Sequence, residues 1–368
     1  MKILFVLHTL TSGGAERVTT SLANHWASHG HEVAVATMGK GEDFYTLDNR
    51  VVRHRFDLSG STKSAVGAVA GIARRVTALR RLLRAEKPDV AIAMMAFWSI
   101  ELALAARGLP VRTIGSERIH PPRLPLGKAW EFMRRHLYRL LDGVVAQTDT
   151  SRIWIETNTS ASNVWVIANP VASLPPGQPA EVLGLPSNAP LILAVGRLVR
   201  QKRFDRVIDA LAAEPAALSE WHLAVVGEGP LLRDLSERAQ LAGIANRVHF
   251  PGRTTQIQDW YRRADIFTLT SDFEGFPNVL LEAMASGLAV ISTDCETGPA
   301  DLIRSGENGF LVRPGDAGGF RAALTSLARS PTLRGVFGEA ARVTASGYSE
   351  NAIARRWEEL FEARENAS

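Results

Sequence analysis

Short apolar runs of strand length alternate with amphipathic stretches of helical period along the whole chain. In the first half, the apolar runs predict strands at 2–9, 31–37, 51–56, 88–95, 111–115, 142–147 and 163–168. Between them, the periodicity predicts helices at 15–29, 64–86, 97–107, 128–141 and 150–158. Strands that alternate with helices in this way are typical of βαβ units, in which helices cover a parallel sheet.

A proline-rich stretch interrupts the alternation, which then restarts. Prolines recur here at Pro170, Pro175, Pro176, Pro179, Pro186 and Pro190, a density that excludes a helix or a central strand. Beyond it, strands are predicted at 191–196, 221–227, 247–251, 266–271, 288–293 and 310–312, with helices that include 204–213, 230–242 and 277–287.

The pattern therefore predicts an α/β protein with two doubly wound, Rossmann-like domains. The first domain is expected to span residues 1–170, the linker 171–190 and the second domain 191–346. The remaining residues, 347–368, contain a helical stretch that can pack on either domain, including back on the first.

Composition adds that the chain is globular and that its expected compartment is reducing. Apolar residues make up 46% and charged residues 22% of the chain, which excludes disorder and leaves enough apolar surface for two cores. The single cysteine, Cys295, cannot form an internal disulfide. The apolar runs at 3–7 and 90–106 are too short or too polar for a signal peptide or a membrane span. We expect a cytoplasmic protein.

Charge is distributed unevenly between the two halves. Residues 1–180 carry 22 Lys and Arg against 14 Asp and Glu, and the rest of the chain carries 20 against 24. The first half is therefore +8 and the second −4. A basic half indicates an anionic partner, which is a nucleic acid, an acidic lipid or a phosphorylated substrate, and charge alone does not choose among them.

The segment 271–287 carries the clearest candidate chemistry. It leaves a predicted strand through a Gly/Pro turn and opens a helix, for which Pro277 suits the first position. The backbone amides of Asn278, Val279 and Leu280 are then expected to point out of the helix start without partners, forming a phosphate site.

Two glutamates flank this expected phosphate site. Glu274 precedes the helix, and Glu282 lies about 7.5 Å along it from Pro277, at about 1.5 Å per residue. The two carboxylates can hold hydroxyl groups on either side of the anion, a layout that fits a sugar, a diphosphate and a ribose in a row. The alternative is that Glu282 only caps or solvates its own helix.

A helix start offers only about half a positive charge, so a diphosphate needs further cations or a metal. Arg197 and Lys202 follow the first strand of the second domain, directly after Gly196, and can supply that charge unless they are solvated loop residues. The chain contains no Asp-x-Asp pair and no zinc-type Cys/His spacing. We therefore expect no metal and no other cofactor.

Together these motifs resemble glycosyltransferase family 4, the retaining enzymes of GT-B fold. The Glu-x7-Glu element of that family stands here as Glu274 to Glu282, its diphosphate-binding Arg and Lys as Arg197 and Lys202, its N-terminal glycine loop as Gly13-Gly14 and its hinge entry as Asn169-Pro170. The resemblance implies two Rossmann-like domains that face a central cleft, with the acceptor on the first domain and a nucleotide-sugar on the second.

The resemblance also implies a set of site residues. Arg197, Lys202 and Glu274 are the expected catalytic residues. The expected donor-binding residues are Gly13, Gly14, Gly196, Arg197, Lys202, Glu274, Gly275, Phe276, Asn278, Val279, Leu280 and Glu282. Many family members carry a histidine after the fifth strand, whereas this chain reads Gly-Ser-Glu-Arg-Ile-His over 115–120. No acceptor base is assigned, and the acceptor-side candidates are Glu16, Glu117, Arg118 and His120.

Segments 293–303 and 308–314 look like those of bacterial transferases that build lipid-linked polysaccharide and glycoprotein glycans. This similarity implies transfer of a hexose or N-acetylhexosamine, with retention, from a UDP-linked sugar to an undecaprenyl-diphosphate-linked glycan. The alternatives are a soluble acceptor, a nucleotide-sugar epimerase or a pyridoxal-dependent GT-B phosphorylase. A nucleic-acid partner is not expected, because the basic half contains no recognisable binding module and no interleaved aromatics.

The predicted helix at 64–87 offers a candidate membrane contact. Ile72, Val76, Leu79 and Leu83 share one face, and the adjoining arc carries Arg74, Arg80, Arg81, Arg84 and Lys87. Either the apolar face packs on its own domain or the helix rests on acidic lipid. The basic half and the family resemblance favour a peripheral contact with the cytoplasmic face of the inner membrane.

Overall fold

The computed structural model describes residues 1–11, 13–58, 65–171, 179, 186 and 188–363. The chain forms two compact units, one made of residues 1–170 with 350–368 and the other of residues 171–349. Most of the predicted linker, 171–190, lies outside the described residues.

The first unit contains a seven-stranded parallel sheet in the order β3-β2-β1-β4-β5-β6-β7. Its strands are β1 (Lys2–Leu7), β2 (Glu32–Thr37), β3 (Val52–Arg55), β4 (Val90–Met94), β5 (Arg112–Ser116), β6 (Gly143–Ala146) and β7 (Val164–Val166). The connecting helices are α1 (Gly14–Ser28), α2 (Ala65–Glu86), α3 (Ala96–Ala105), α4 (Lys128–Leu137) and α5 (Asp149–Asn158). The central strands are apolar and buried along nearly their whole length, as expected for a sheet covered on both faces.

The second unit contains a six-stranded parallel sheet in the order β10-β9-β8-β11-β12-β13. Its strands are β8 (Leu191–Val195), β9 (His222–Val226), β10 (Val248–Gly252), β11 (Ile266–Leu269), β12 (Ala289–Thr293) and β13 (Phe310–Val312). Its helices are α6 (Phe204–Ala213), α7 (Pro215–Leu218), α8 (Leu232–Leu241), α9 (Ile257–Arg263), α10 (Asn278–Ala285), α11 (Pro299–Leu302), α12 (Ala317–Arg329) and α13 (Pro331–Ser346). The chain crosses from one side of β8 to the other after β10, which makes the ends of β8 and β11 a topological switch point.

The last helix, α14 (Glu350–Glu362), belongs to the first unit. Its Trp357 is fully buried, and its Phe361 ring lies 5.4 Å from the ring of Trp26 in α1. The Trp26 indole Nε1 donates a hydrogen bond of 2.9 Å to the Glu358 carboxylate. The first unit is thus completed by residues that follow the second unit in the chain.

Candidate functional site

The predicted site residues of the second unit lie in the loops that leave the carboxyl ends of β8 and β11 and in helix α10, and the loop after β12 lies beside them. Because these strands are parallel neighbours, the loops 196–203, 270–277 and 294–298 meet at one edge of the sheet. This is the edge at which open α/β sheets bind their ligands.

Lys202 and Glu274 form an ion pair at this edge. The Lys202 Nζ lies 2.7 Å from the Glu274 Oε1, and the two side chains are only 15% and 8% exposed. The Ser271 hydroxyl donates a second hydrogen bond, of 2.5 Å, to the same carboxylate oxygen. The two residues that the sequence placed on separate parts of a ligand are therefore in direct contact.

The loop that carries Glu274 is held on several sides. The Thr297 hydroxyl donates to the Glu274 backbone carbonyl, and the Thr293 hydroxyl donates to that of Ser271 at 2.7 Å. The Gln201 side-chain amide donates to the Phe273 carbonyl at 2.6 Å. The ion pair is consequently positioned by a pre-formed network, which reduces the reorganisation needed when a ligand binds.

Arg197 is exposed and makes no ion pair or side-chain hydrogen bond within the described part of the chain. It stands beside Gly196, which has a φ of +154° and packs so closely that an added Cβ would lie 3.3 Å from the Lys202 Cε. A side chain at this position would therefore push the lysine. Arg197 and Lys202 lie in one loop, and Lys202 is in a short 3-10 turn. Lys202 is paired with Glu274, whereas Arg197 is unpaired within the described residues.

Two further glycines shape this loop. A Cβ on Gly227, where φ is +148°, would lie 2.0 Å from the Gly196 carbonyl oxygen, and a Cβ on Gly229 would lie 2.5 Å from that of Leu198. The Leu198 amide also donates to the Glu228 carbonyl at 2.9 Å. The sequence analysis did not include these glycines in the site. Their position directly after strand β9, at the carboxyl end of the sheet, could have indicated them.

The start of α10 differs from the expectation. Pro277 precedes the helix, with a φ of −83° and a ψ of 74°, and the Asn278 amide donates to the Phe276 carbonyl in an inverse γ-turn. The Leu280 amide donates to the Pro277 carbonyl. The prediction that three amides are unpaired was thus wrong for Asn278 and Leu280. Of the three amides, only that of Val279 makes no hydrogen bond within the described residues.

Glu282 lies inside α10 and is 2% exposed. The Tyr261 hydroxyl of α9 donates a hydrogen bond of 2.9 Å to its Oε2. This burial is inconsistent with a glutamate that only solvates its helix. The sequence analysis did not identify Tyr261 as its partner, because the two residues are far apart in the chain and share no motif.

Gly275 and Phe276 continue the same loop, and Phe276 is buried with its ring 6.1 Å from that of Tyr348. Cys295 lies beside this loop and is also buried, and burial raises the pKa of its thiol to about 12. A thiol with this pKa remains protonated near neutral pH, so it is a poor nucleophile.

In the first unit, Glu117 is buried rather than open to an acceptor. The Tyr138 hydroxyl donates to its Oε1 at 2.5 Å, and the Arg134 Nη1 lies 3.5 Å from the same atom. Burial raises the pKa of the Glu117 carboxyl. These contacts favour a role in positioning the loop after β5.

Arg118 and His120 are buried in the same loop. The Arg118 guanidinium donates to the Asn169 side-chain oxygen and, at 3.3 Å, to the Ser116 hydroxyl. It has no carboxylate partner among the described residues, and burial lowers its pKa to about 9. The His120 Nδ1 lies 3.0 Å from the Ser151 Oγ. The loop therefore places a buried positive charge at the carboxyl end of β5.

The glycine loop of the first unit begins helix α1. Gly13 is the residue before the helix and Gly14 its first residue, and an added Cβ on Gly13 would lie only 2.1 Å from a Glu16 carboxylate oxygen. Glu16 thus folds back over the start of its own helix, where a carboxylate is favoured by the helix dipole.

The apolar face of α2 packs on its own unit. Leu79 and Leu83 are buried in the core beside β1 and β4, with Val76 packed against them. Arg80 donates to the carbonyls of Ala105 and Arg107 at 2.6 and 2.8 Å. The apolar stripe and Arg80 are therefore not available to a lipid surface, because tertiary packing and these carbonyls already engage them.

The other predicted membrane-contact residues of α2 are exposed: Arg74, Arg81, Arg84 and Lys87. Among the described residues, no helix combines the length and apolar character needed to cross a bilayer. That part of the chain also contains no cluster of three or more His, Cys, Asp or Glu residues placed to hold a metal ion.

Two family comparisons cover nearly the whole chain. Residues 12–173 match the family described as Glycosyltransferase Family 4, and residues 179–344 match Glycosyl transferases group 1.

Curated relatives match over similar lengths. The chain is 26% identical to the amylovoran biosynthesis glycosyltransferase AmsD of Erwinia amylovora, over 98% of this chain and 99% of that protein. It is 28% identical to an alpha-1,4-N-acetyl-D-galactosaminyltransferase of Campylobacter jejuni that acts on a GalNAc-containing diNAcBac-PP-undecaprenol, over the full length of both. It is 30% identical to the exopolysaccharide phosphotransferase SCO2592 of Streptomyces coelicolor, but spans only 40% of that longer protein.

Solved structures share the fold. The galactosyltransferase WaaB matches with a TM-score of 0.77 and 22% identity, over 99% of this chain and all of that one. Anabaena HepE in complex with UDP matches with a TM-score of 0.79 and 19% identity, over 99% and 100% of the two chains. The solved structures show that the chain has the GT-B fold. Since one family model matches each half of the chain, the chain is an enzyme that belongs to the glycosyltransferases of group 1 and family 4.

Proposed function

We propose that this enzyme transfers a hexose or N-acetylhexosamine, with retention at the anomeric carbon, from a UDP-linked sugar to a glycan carried on undecaprenyl diphosphate. The observation that carries the proposal is the Lys202–Glu274 ion pair, held beside the unpaired Arg197 at the switch point of the second sheet. The UDP bound to HepE and the undecaprenol-linked acceptor named for the Campylobacter relative support the choice of substrates.

In this mechanism, the cations act on the departing diphosphate. As the bond from the anomeric carbon to the diphosphate oxygen breaks, negative charge grows on that oxygen. The Lys202 ammonium has three N–H donors, of which one is used by Glu274, so two remain for phosphate oxygens. Arg197 has its whole guanidinium fork free to bind a second pair of oxygens. After the Lys202 ammonium and the Arg197 guanidinium, the Val279 amide is the third group that can donate to the diphosphate, and it lies at the positive end of the α10 dipole.

The two glutamates take different parts of the donor. Glu274, next to Lys202, is proposed to hold hydroxyl groups of the transferred sugar, which places the sugar beside the breaking bond. Glu282, buried within α10 and oriented by the Tyr261 hydroxyl, is proposed to bind the ribose. The hydrogen bond from Tyr261 fixes the rotamer of the carboxylate, so less entropy is lost when the ribose binds.

The acceptor is proposed to bind the basic first unit. Arg118, buried without a carboxylate partner among the described residues, provides a positive potential at the end of β5 that favours a phosphorylated acceptor. The exposed cations of α2 can approach acidic lipid headgroups on the cytoplasmic face of the inner membrane, each contributing about 1 kcal/mol. Because the apolar stripe of α2 is buried, a soluble glycan acceptor is the second candidate.

One experiment separates these possibilities. The enzyme is incubated with a panel of UDP- and GDP-sugars, and with one glycan offered either on undecaprenyl diphosphate or as the free oligosaccharide. Transfer from a UDP-sugar to the lipid-linked glycan alone supports the proposal, and equal transfer to the free glycan supports the second candidate. Conversion of the donor without an acceptor indicates an epimerase and contradicts both.

The same assay tests the proposed independence from metals. Since Arg197, Lys202 and the α10 start supply the positive charge, turnover is expected to persist in EDTA. Turnover that is lost in EDTA and restored by Mg²⁺ or Mn²⁺ would overturn this part of the proposal.

Sedimentation with acidic vesicles at low salt tests the membrane contact. An Arg74→Gln, Arg81→Gln, Arg84→Gln triple variant should then remain in solution.

A further inference from the structure

A cavity of about 310 Å³ lies between α6 and α12, beside the end of β12. Thr293, Ala210 and Phe320 are buried in its lining, and Arg206, Arg313 and Arg321 contribute their side chains. It shares no lining residue with the Lys202–Glu274 pair or with the start of α10. The cavity is therefore distinct from the proposed donor site, although Thr293 in its lining also holds the loop that carries Glu274.

The three arginines of this cavity are not equally engaged. Arg206 donates to the Thr270 carbonyl at 2.9 Å and pairs with Asp272 at 2.7 Å. Arg313 and Arg321 make no ion pair or hydrogen bond through their side chains within the described residues. Arg313 is exposed, whereas Arg321 is half-buried and its Nε is shielded from solvent. A shielded guanidinium nitrogen without an acceptor is costly, which indicates that the cavity favours an anionic occupant.

The acidic residues of the lining do not pair with Arg313 or Arg321. Asp209 pairs with Arg238 outside the cavity, with Oδ2 2.5 Å from the Arg238 Nη2. Asp316 is the N-cap of α12, and its Oδ1 accepts a hydrogen bond of 2.7 Å from the Gly319 amide. Both carboxylates thus have other partners. The guanidinium groups of Arg313 and Arg321 therefore keep their N–H donors available for an anion.

The lining also has an apolar part. It contains the buried Ala210 and Phe320 together with the exposed Ala213 and Ala317, and the short alanine side chains leave room for a small group. A volume of about 310 Å³ is at the lower end of cavities that bind small molecules, which begin at about 300 Å³. Such a volume accommodates one ring or short chain together with one anionic group.

We propose that this cavity is a second ligand site, which binds a small phosphate monoester carrying an apolar ring or chain. The phosphate would be held by Arg313 and Arg321, since guanidinium groups match phosphate oxygens in geometry and charge. The apolar part would lie against Phe320 and the alanines. The inference goes beyond the proposed glycosyl transfer, because none of these residues takes part in it.

The test is a calorimetric titration of the full chain with phenyl phosphate, in parallel with inorganic phosphate. Saturable binding of phenyl phosphate is expected, at least about tenfold tighter than that of inorganic phosphate, because the ring removes apolar surface from water. The Arg313→Gln, Arg321→Gln double variant should weaken binding at least about tenfold. An Arg329→Gln variant, at an exposed position of the same helix, should bind as the original chain does.

Two more variants locate the bound ligand. Ala213→Leu should fill the cavity and abolish binding of phenyl phosphate without removing any charge, whereas Lys202→Ala should leave it unchanged. The proposal is overturned if phenyl phosphate does not bind, if the double variant binds it equally well or if Lys202→Ala removes binding. Equal affinity for inorganic phosphate would overturn the part assigned to the apolar lining. None of these outcomes depends on the glycosyl transfer reaction.

Discussion

The role proposed for Lys202 can be tested directly by substitution. It is paired with Glu274 at 2.7 Å, and its charge lies in a partly desolvated loop. If it stabilises the departing diphosphate, its contribution grows during bond cleavage. We expect Lys202→Ala to lower kcat by about 100-fold or more, while the affinity for the donor changes less. Arg200→Gln, an exposed cation two residues away, is the matched control and should keep near-normal turnover. A Lys202→Ala enzyme with normal kcat would show that the lysine only pairs with Glu274.

Substitutions of Glu274 and Glu282 are expected to affect different quantities, turnover in the first case and affinity for UDP in the second. Glu282→Ala should weaken binding of free UDP, because it removes the carboxylate that Tyr261 orients toward the ribose. Glu274→Ala should leave the affinity for UDP nearly unchanged and should impair turnover. Calorimetry with UDP and steady-state kinetics give the two readouts. The assignment fails if Glu274→Ala loses UDP and Glu282→Ala binds it normally.

Residue types and spacing were enough to place Arg197, Lys202 and Glu274 in loops at one edge of one sheet. They were not enough to predict burial. Glu117 carries a charge in a loop, which favours exposure, yet it lies in a network with Tyr138, which comes 21 residues later. A contact of this kind depends on how a helix folds back over a strand end, and no local pattern encodes it.

At the scale of loops and elements, Gly227 should tolerate no side chain. A side chain here would be destabilising for two separate reasons. The φ of +148° is unfavourable for any residue with a Cβ, and that Cβ would lie 2.0 Å from the Gly196 carbonyl oxygen. We expect Gly227→Ala to lose about 1–3 kcal/mol more stability than Gly243→Ala, and also to lower donor turnover. Gly243 is a suitable comparison because its φ is +70° and an added Cβ would contact nothing within 4 Å. Urea unfolding measures the difference, and equal losses in both variants would contradict the steric argument.

A pair of histidines on adjacent strands predicts a pH dependence. The His222 Nδ1 on β9 lies 3.0 Å from the His249 Nε2 on β10, and burial lowers the pKa of both rings. Arg247 and Arg263 act in the same direction on His222, and Glu220 opposes them. The folded state therefore favours neutral rings. Stability should be complete above about pH 6.5, the usual histidine pKa, and should fall as the pH drops below it.

The measurement is the melting temperature between pH 7.5 and 5.5. A His222→Gln, His249→Gln double variant should have a shallower decline over this range than the original chain. An unchanged slope would show that other groups dominate the acid response.

The strands were well predicted because buried parallel strands are nearly continuous apolar runs. By contrast, α12 and α13 were not predicted, although they are among the longer helices of the second unit. Both contain glycines, which lower helix propensity. Gly338 is required by packing, since an added Cβ would lie 2.1 Å from the Gly287 carbonyl oxygen. Tertiary contact thus decides the conformation where local propensity opposes it.

For the whole molecule, the position of α14 makes a distinct prediction. Trp357 has no exposed surface and anchors α14 to the first unit. Trp357→Ala should destabilise that unit by about 3–5 kcal/mol, since it leaves a large cavity. Arg356→Ala, an exposed neighbour on the same helix, should change stability by less than about 0.5 kcal/mol. Scanning calorimetry measures both, and a Trp357→Ala protein as stable as the Arg356→Ala protein would contradict the prediction.

The return of α14 also sets an order for events at the ribosome. The second unit is contiguous, so all of its residues are available once position 349 has left the exit tunnel. The first unit is synthesised earlier but lacks Trp357 and Phe361 until residues 350–362 emerge. Until then Trp26 packs on Phe5 but lacks its contact with Phe361. The first unit is therefore synthesised first and completed last. Part of its apolar surface stays exposed while about 180 further residues are translated, which takes roughly 10–40 s at 5–20 residues per second.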